Sequence, residues 1–363
     1  MYHAEAQPCS WRPPAASFKK GARAMSGCLF VDTQVIDTPT CVQGLPLKMV
    51  ANRYTVSPSR ENGVTILLAH ASGTHKEHWE PTLEKLFHLQ ECGASHGRIR
   101  EAWAFDWMTH GDSAVLNAES LRNSMQGNSI GDWGEAIAAF VKTRLASHRI
   151  IVVGHSAGCS AMMYSTKCFS GSQRVPYEAI ILVEPAMIDR KVFQDNIKDR
   201  ERQTSILTKA TAAQRNQWDT RVTAYEWLSK RFPWNRWDER VRRILVNHGL
   251  RPLVANDPNG PVTTKCEKRF ESSNYTDFEP TFQATEQIEK ICKDVPIHMI
   301  FGENDLVPRY SQDSIIDHAK GRQVASVVRL DGVGHMIVQQ NPTVLAETIF
   351  RCLPSQQAPS SHL

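Results

Sequence analysis

The chain has 363 residues, of which 41% are hydrophobic and 22% are charged, an ordinary balance for a globular protein. The formal net charge is only +4, and acidic and basic residues are mixed along the chain. Nothing in this charge balance suggests a nucleic-acid partner, which normally shows a basic face or stripe. No apolar run approaches the roughly 18–20 residues that a membrane-spanning helix needs.

The nine cysteines are scattered, and no two of them form a Cys-x-x-Cys pair. Their number is odd, and residues 1–24 lack the apolar stretch of a secretory signal. We therefore expect free thiols in a reducing compartment. No group of side chains has the spacing of metal ligands, so neither a metal nor another cofactor is expected.

From residue 28 onward, short apolar runs typical of β-strands alternate with helical patterns, which predicts an α/β fold with a mostly parallel sheet. Residues 29–36 and 47–56 are predicted to be antiparallel edge strands. The following runs are continuously apolar, as expected for strands buried on both faces of a sheet. These predicted strands cover residues 65–70, 99–106, 149–153, 179–183, 296–301 and 325–330, and a final helix is expected over residues 343–353.

The strand series is interrupted once, by a charged, tryptophan-rich segment with helical spacing. We expect an α/β core (residues 28–187 and 291–353), an inserted helical cap (188–290), a disordered N-terminal extension (1–27) and a flexible tail (354–363). Residues 247–252 look like a helix end followed by an irregular segment. The cap tryptophans could line a substrate site, although packing between cap helices is the simpler interpretation: Trp218, Trp227, Trp234 and Trp237. The basic residues of the cap could likewise bind a phosphate group of the substrate, although a solvated helix surface is the simpler interpretation: Lys209, Arg215, Arg221, Lys230, Arg231 and Arg236.

Residues 154–158 (GHSAG) directly follow the predicted strand 149–153, and a helical pattern begins at Ala157. A G-x-S-x-G sequence between a strand and a helix is typical of a sharp turn that exposes a strained serine. Ser156 is therefore the predicted nucleophile. A serine hydroxyl becomes a good nucleophile only when a neighbouring base removes its proton.

The predicted base is His335, which lies in the loop between the strand 325–330 and the last helix. An acid is needed to hold the histidine tautomer and to stabilise the imidazolium. Asp305, in the loop after strand 296–301, is the favoured candidate. Glu184, directly after strand 179–183, could reach the same histidine and stays open as the alternative acid.

The oxyanion of an acyl-transfer reaction needs hydrogen-bond donors that are already in place. One predicted donor is the backbone N–H of Ala157. The other is the N–H of Ser72, in the loop after strand 65–70. We expect His70 to brace this loop, and we expect structural roles for Asp106, Gly111 and Asp112 in the turn after strand 99–106.

Together, these motifs resemble the α/β-hydrolase superfamily over residues 45–353: HASG at 70–73, the turn at 105–113, GHSAG at 154–158, GENDLVP at 302–308 and GVGHM at 332–336. The cap sequences 224–228, 237–238 and 247–252 resemble the fungal branch that includes toxin-biosynthesis hydrolases and the yeast peroxisomal lipase. The resemblance implies an α/β-hydrolase fold with a mostly parallel central sheet, flanking helices and an inserted cap. In parts of that branch the acid sits on the earlier strand loop, which supports Glu184, whereas the complete GENDLVP loop supports Asp305.

The chain ends with Ser361, His362 and Leu363, a small–basic–leucine tripeptide similar to the peroxisomal address S-K-L. A peroxisomal import receptor is therefore an expected partner. We expect a serine hydrolase that cleaves an ester or a thioester through an acyl-enzyme, with a specialised acyl-CoA thioesterase as the alternative. A non-catalytic binding protein with the same fold remains the alternative from a different class.

Overall fold

The computed structural model describes residues 23–24, 29–56, 61–91, 98–169, 174–303 and 306–354. The predicted C-terminal address, Asp305 and most of the predicted disordered extension lie outside these ranges. Within that extension, Arg23–Ala24 form a short strand that pairs with Leu29–Val42. For these two residues the prediction of disorder is wrong, because they pair antiparallel with the outer edge of the neighbouring strand.

Twelve strands occur in the described ranges. They are β1 (Arg23–Ala24), β2 (Leu29–Val42), β3 (Leu45–Val56), β4 (Val64–Ala69), β5 (Ile99–Phe105), β6 (Ile150–His155), β7 (Tyr177–Val183), β8 (Gln217–Trp218), β9 (Leu250–Pro252), β10 (Val262–Thr264), β11 (Ile297–Gly302) and β12 (Ser326–Leu330).

Nine of these strands form one sheet, in the order β1-β2-β3-β5-β4-β6-β7-β11-β12. From β5 to β12 all neighbours are parallel, whereas β1, β2 and β3 pair antiparallel at one edge. The predicted α/β class, the antiparallel edge and the parallel centre are confirmed. Because the parallel strands all point the same way, the loops after β4, β6, β7, β11 and β12 meet at one edge of the sheet.

The described ranges contain fourteen α-helices. They are α1 (Glu80–Glu91), α2 (Gly111–Leu116), α3 (Ala118–Leu121), α4 (Ile130–Arg144), α5 (Ala157–Lys167), α6 (Arg190–Asp195), α7 (Ile197–Ala213), α8 (Arg221–Ser229), α9 (Glu239–His248), α10 (Lys268–Asn274), α11 (Glu279–Ile291), α12 (Arg309–Ser314), α13 (Ile337–Gln340) and α14 (Pro342–Cys352). Short 3₁₀ turns occupy Lys76–Trp79, Trp234–Arg236 and His318–Lys320. No helix in the described ranges is both long and apolar enough to span a bilayer.

Helices cover both faces of the large sheet and bury two apolar layers. Strand β6 illustrates the division, because Ile150 and Val152 pack on one face while Ile151 and Val153 pack on the other. This alternation is the two-residue period of a β-strand. Helices α4, α5 and α11 cover the first face, and α1 and α14 cover the second.

The cap lies in the chain between β7 and α11. Its helices accompany a small antiparallel sheet of order β8-β10-β9, so the irregular segment predicted after α9 is instead strand β9. The predicted cap boundary at residue 290 also differs from the structure, since Ala284 and Ile288 of α11 are buried in the core layer with α5. The amphipathic pattern of α11 fits either location, which is why periodicity alone did not assign it to the core.

Candidate active site

Ser156 lies at the tight turn that connects β6 to α5. Its backbone has φ 53° and ψ −114°, a combination that a residue with a side chain rarely adopts. A Cβ atom on Gly158 would lie 2.4 Å from the carbonyl oxygen of Ala69, so a larger residue there would push α5 away from β4. The turn predicted from the sequence is therefore present, and its strain is held by packing between β4 and α5.

His335 approaches Ser156 from the loop between β12 and α13. Its Nε2 lies 2.9 Å from Ser156 Oγ, within hydrogen-bond distance. Both side chains are largely buried, and both line the same cavity. The sequence-predicted base and nucleophile are thus brought together, in the arrangement that general-base activation requires.

The other ring nitrogen of His335, Nδ1, lies 3.0 Å from Oε2 of Glu184. The backbone N–H of Gly302 donates to the remaining carboxylate oxygen of Glu184, so both oxygens of this buried side chain have fixed partners. Glu184 directly follows β7, and Gly302 ends the neighbouring strand β11. The carboxylate is consequently held between the ends of two adjacent strands.

This geometry changes the preference between the two predicted acids. Asp305 lies outside the described residues, whereas Glu184 accepts a hydrogen bond from His335 Nδ1, which is the contact that a triad acid makes. This contact favours Glu184 over Asp305 as the acid, and we propose that role for Glu184. The preference for Asp305 came from the GENDLVP sequence, and sequence alone could not decide between loops that follow neighbouring strands.

A second histidine, His155, supports the loop of His335 and was missed by sequence reasoning. Its Nε2 lies 2.8 Å from the carbonyl oxygen of His335. Burial lowers the pKa of His155 to about 3, so the ring is neutral and donates through Nε2. The residue occupies the variable second position of G-x-S-x-G, which carries no functional signal in the sequence.

The second predicted oxyanion donor lies in the turn after β4. The backbone N–H groups of Ser72 and Ala157 have no acceptor among the described residues, and both residues line the cavity beside Ser156. Asn274 of α10 donates to the side chain of Ser72 at 3.2 Å. The turn is therefore held by the cap as well as by the core.

His70 fixes this turn from below, as predicted. Its Nδ1 donates to the carbonyl of Ala71 at 2.7 Å, and its Nε2 accepts the N–H of Trp107 at 3.1 Å. Burial lowers its pKa to about 3, which agrees with a neutral ring that donates on one side and accepts on the other.

The cavity that contains Ser156 has a volume of about 180 Å³. Its wall is mostly apolar and combines core residues with cap residues such as Leu207, Tyr275 and Phe278. Among the described residues, two charged side chains also line it, Arg200 of α7 and Asp277 between α10 and α11. Burial, followed by the neighbouring carboxylates Asp132 and Glu279, raises the pKa of Asp277.

The cap tryptophans lie elsewhere. The rings of Trp218, Trp227 and Trp234 pack on each other within the cap. Trp218, Trp234 and Trp237 border a separate cavity of about 60 Å³. None of the four tryptophans, and none of the six basic residues considered from the sequence, lines the cavity of Ser156.

The position of Arg200 in the cavity wall was missed from the sequence, because an arginine on a charged helix has no distinguishing pattern.

A buried cluster of charges lies beneath the turn after β4. Lys76 is fully buried, and its Nζ lies 2.7 Å from Glu77, 2.9 Å from Asp106 and 2.7 Å from Asp112. Burial acts against the charge of Lys76, but these carboxylates raise its pKa well above the ordinary lysine value. A Cβ on Gly111 would lie 2.3 Å from Asp106. This is the structural role predicted for the turn after β5.

The parallel sheet, the strained serine between strand and helix, and the Ser–His–carboxylate contacts define the class of α/β proteins with a nucleophile turn. Within that class, the chain belongs to the alpha/beta hydrolase family, whose model matches residues 66–348. The superfamily resemblance predicted from the sequence is confirmed. A comparison with curated proteins finds no significant match.

Several solved structures have the same fold at low sequence identity. The peroxisomal alpha-beta-hydrolase Lpx1 of Saccharomyces cerevisiae is similar with a TM-score of 0.70 and 17% identity, covering 93% of this chain and 92% of that one. An E-2-(acetamidomethylene)succinate hydrolase has a TM-score of 0.62 and 15% identity, with 88% and 98% coverage. The thioesterase domain of the curacin biosynthetic pathway has a TM-score of 0.57 and 16% identity, with 87% and 99% coverage. These similarities establish the fold.

Proposed function

We propose that this protein is a serine hydrolase that cleaves an ester or a thioester through an acyl-enzyme. The observation that carries the proposal is the continuous chain of contacts from Ser156 Oγ to His335 Nε2 and from His335 Nδ1 to Glu184 Oε2. The adjacent cavity and the N–H groups of Ser72 and Ala157, for which the described residues offer no acceptor, support the same chemistry.

The first half of the reaction forms the acyl-enzyme. Ser156 Oγ attacks the carbonyl carbon while His335 Nε2 takes the hydroxyl proton. The carbonyl oxygen becomes an oxyanion that accepts hydrogen bonds from the N–H groups of Ser72 and Ala157. As the bond to the leaving group breaks, His335 passes its proton to the departing alcohol or thiol.

The second half releases the acid. Water takes the place of the leaving group, His335 removes one of its protons, and the resulting hydroxide attacks the acyl carbon. Ser156 then recovers its proton from His335. Throughout the cycle, Glu184 keeps the proton on Nδ1 and offsets the positive charge of the imidazolium.

Ser156→Ala is expected to remove covalent labelling by a fluorophosphonate probe and to lower kcat by about 10⁴-fold or more. The matched control is Ser160→Ala, which removes a hydroxyl from the same cavity wall but no triad atom, and should keep its labelling. Absence of labelling in the folded wild-type protein would contradict the hydrolase proposal and favour a non-catalytic binding protein.

The choice between oxygen and sulfur esters needs a direct comparison. Values of kcat/KM for a panel of short esters and for the matched acyl-CoA thioesters would separate a carboxylesterase or lipase from an acyl-CoA thioesterase. No contact among the described residues of the cavity wall favours one leaving group, so both stay within the proposal.

We also propose that the protein is imported into peroxisomes through Ser361, His362 and Leu363. The support is the resemblance of this tripeptide to S-K-L, together with the fold shared with a peroxisomal hydrolase. A fluorescent protein fused to the N-terminus should be found in peroxisomes and become diffuse when residues 361–363 are deleted. His362→Lys should preserve import and His362→Glu should abolish it, while an unchanged location after the deletion would contradict the proposal.

A further inference from the structure

Arg200 brings a positive charge into the mostly apolar cavity of Ser156. It lies in the first turn of α7, and uncharged residues such as Met187, Leu207 and Phe278 form other parts of the same wall. Removing a charged group from water is unfavourable unless hydrogen bonds and an opposite charge replace the water. The surroundings of the guanidinium therefore decide what this residue can bind.

Those surroundings leave part of Arg200 unpaired. Its Nη1 donates to Oε1 of Gln203 at 2.6 Å. Its Nε is buried and has no acceptor within the described ranges. A buried N–H without an acceptor is costly, and an anionic ligand would remove that cost.

The acids beside Arg200 in the chain and in the cavity wall do not supply the missing partner. The carboxylate of Asp199 accepts hydrogen bonds from Arg202, Gln203 and Tyr310. Neither Asp199 nor Asp277 forms an ion pair with Arg200 in the described part of the chain. Hydrogen bonds from Tyr310 and Arg202, with the nearby charge of Arg200, lower the pKa of Asp199, and Tyr310 is also a hydrogen-bond neighbour of Arg200. Arg200 thus has a carboxylate nearby, but neither of these acids binds its Nε.

We propose that the substrate carries an anionic group, a carboxylate or a phosphate, which Arg200 binds through Nε and the adjoining Nη2 while Ser156 attacks the ester or thioester carbonyl. The Nε and Nη2 atoms form one edge of the planar guanidinium, and two such donors match two oxygens of a carboxylate or phosphate. The inference rests on the proposed function and adds the substrate class. Arg200 becomes a specificity-determining residue at the cap side of the site.

The test compares three matched series of nitrophenyl esters: hemiesters of linear dicarboxylic acids, esters of ω-phosphorylated acids, and esters of neutral acids of the same length. A range of chain lengths lets the anionic group reach Arg200 from the reacting carbonyl. The wild-type protein should prefer one anionic series at a particular length, which separates a carboxylate from a phosphate. Arg200→Gln should lower the anionic-to-neutral ratio of kcat/KM by about tenfold or more, the size of a lost charge-assisted hydrogen bond.

Arg202→Gln is the matched control. Arg202 lies on the same helix, its side chain is 73% exposed, and it bonds to Asp199, so its loss should leave the ratio unchanged. A ratio that is equal in wild type and Arg200→Gln overturns the inference, and so does a wild-type protein without preference for either anion. Hydrolysis of the neutral esters in those cases leaves the hydrolase proposal standing.

If Ser156 proves unreactive, the inference is tested by calorimetric titration with the dicarboxylic acids and ω-phosphorylated acids themselves. Binding to the wild-type protein that is lost in Arg200→Gln supports anion recognition without hydrolysis. Equal binding to both proteins, or binding to neither, overturns it.

Discussion

Glu184→Gln is expected to lower kcat by about 10³–10⁴-fold, the effect of replacing a triad carboxylate by an amide. The substitution keeps the size of the side chain but removes the charge that holds the proton on His335 Nδ1. The imidazole can then adopt the tautomer in which Nε2 carries the proton and cannot accept one from Ser156. Initial rates on a neutral ester at saturating concentration give the comparison.

Asp305→Asn is the matched control, because it makes the same change of carboxylate to amide on the competing loop. It should keep kcat within a few-fold of the wild-type value. If Asp305→Asn abolishes turnover while Glu184→Gln does not, the acid assignment made from the contact with His335 is wrong. Similar melting temperatures for the two variants would exclude misfolding as the reason for either result.

Lys76→Met is expected to destabilise the folded protein by about 3–5 kcal/mol, the range for removing one partner of a buried ion pair. The substitution leaves Glu77, Asp106 and Asp112 close together without their shared cation. Urea denaturation followed by tryptophan fluorescence gives the change in the free energy of unfolding. Addition of Asp106→Asn should recover part of the loss, since the amide removes a buried negative charge.

The same substitution at a surface ion pair provides the control. Lys85 bonds to Glu347 at 3.1 Å with both side chains partly exposed, so Lys85→Met should cost no more than about 1 kcal/mol. Equal losses for the two lysine variants would show that the buried cluster does not stabilise the fold. Where Lys76→Met does not accumulate as folded protein, the double variant with Asp106→Asn supplies the measurement.

The large sheet was predictable because its strands are short, apolar and separated by helical patterns. The parallel centre could be inferred from the continuous apolar runs, and β6 followed by Ser156 gave the nucleophile its context. The cap was harder. Strands β8, β9 and β10 contain only two or three residues each, too few to produce a recognisable alternation.

The choice between the two candidate acids shows a different limit of prediction from the sequence. Sequence order places Glu184 after β7 and Asp305 after β11, and these strands are neighbours in the sheet. Either loop can therefore reach His335, and the outcome depends on backbone direction and side-chain length. Glu184 adopts a φ of 48° and receives the Gly302 N–H, and neither feature leaves a pattern in the sequence. The position of Arg200 in the cavity could not be predicted either, because only the fold brings α7 close to Ser156.

The bond between Lys265 of the cap and Asp112 of the core affects how substrate can reach Ser156. Lys265 Nζ contacts Asp112, which also contacts buried Lys76, so lifting this side of the cap would break a continuous series of charges at a cost of several kcal/mol. Leu306, by contrast, lines the cavity and is 52% exposed. We therefore expect substrate to enter and product to leave on the side of Leu306. The side of the cap that carries Lys265 is expected to stay in place. Access on the side of Leu306, rather than a movement of the whole cap, would then limit the bulk of the molecules that reach Ser156.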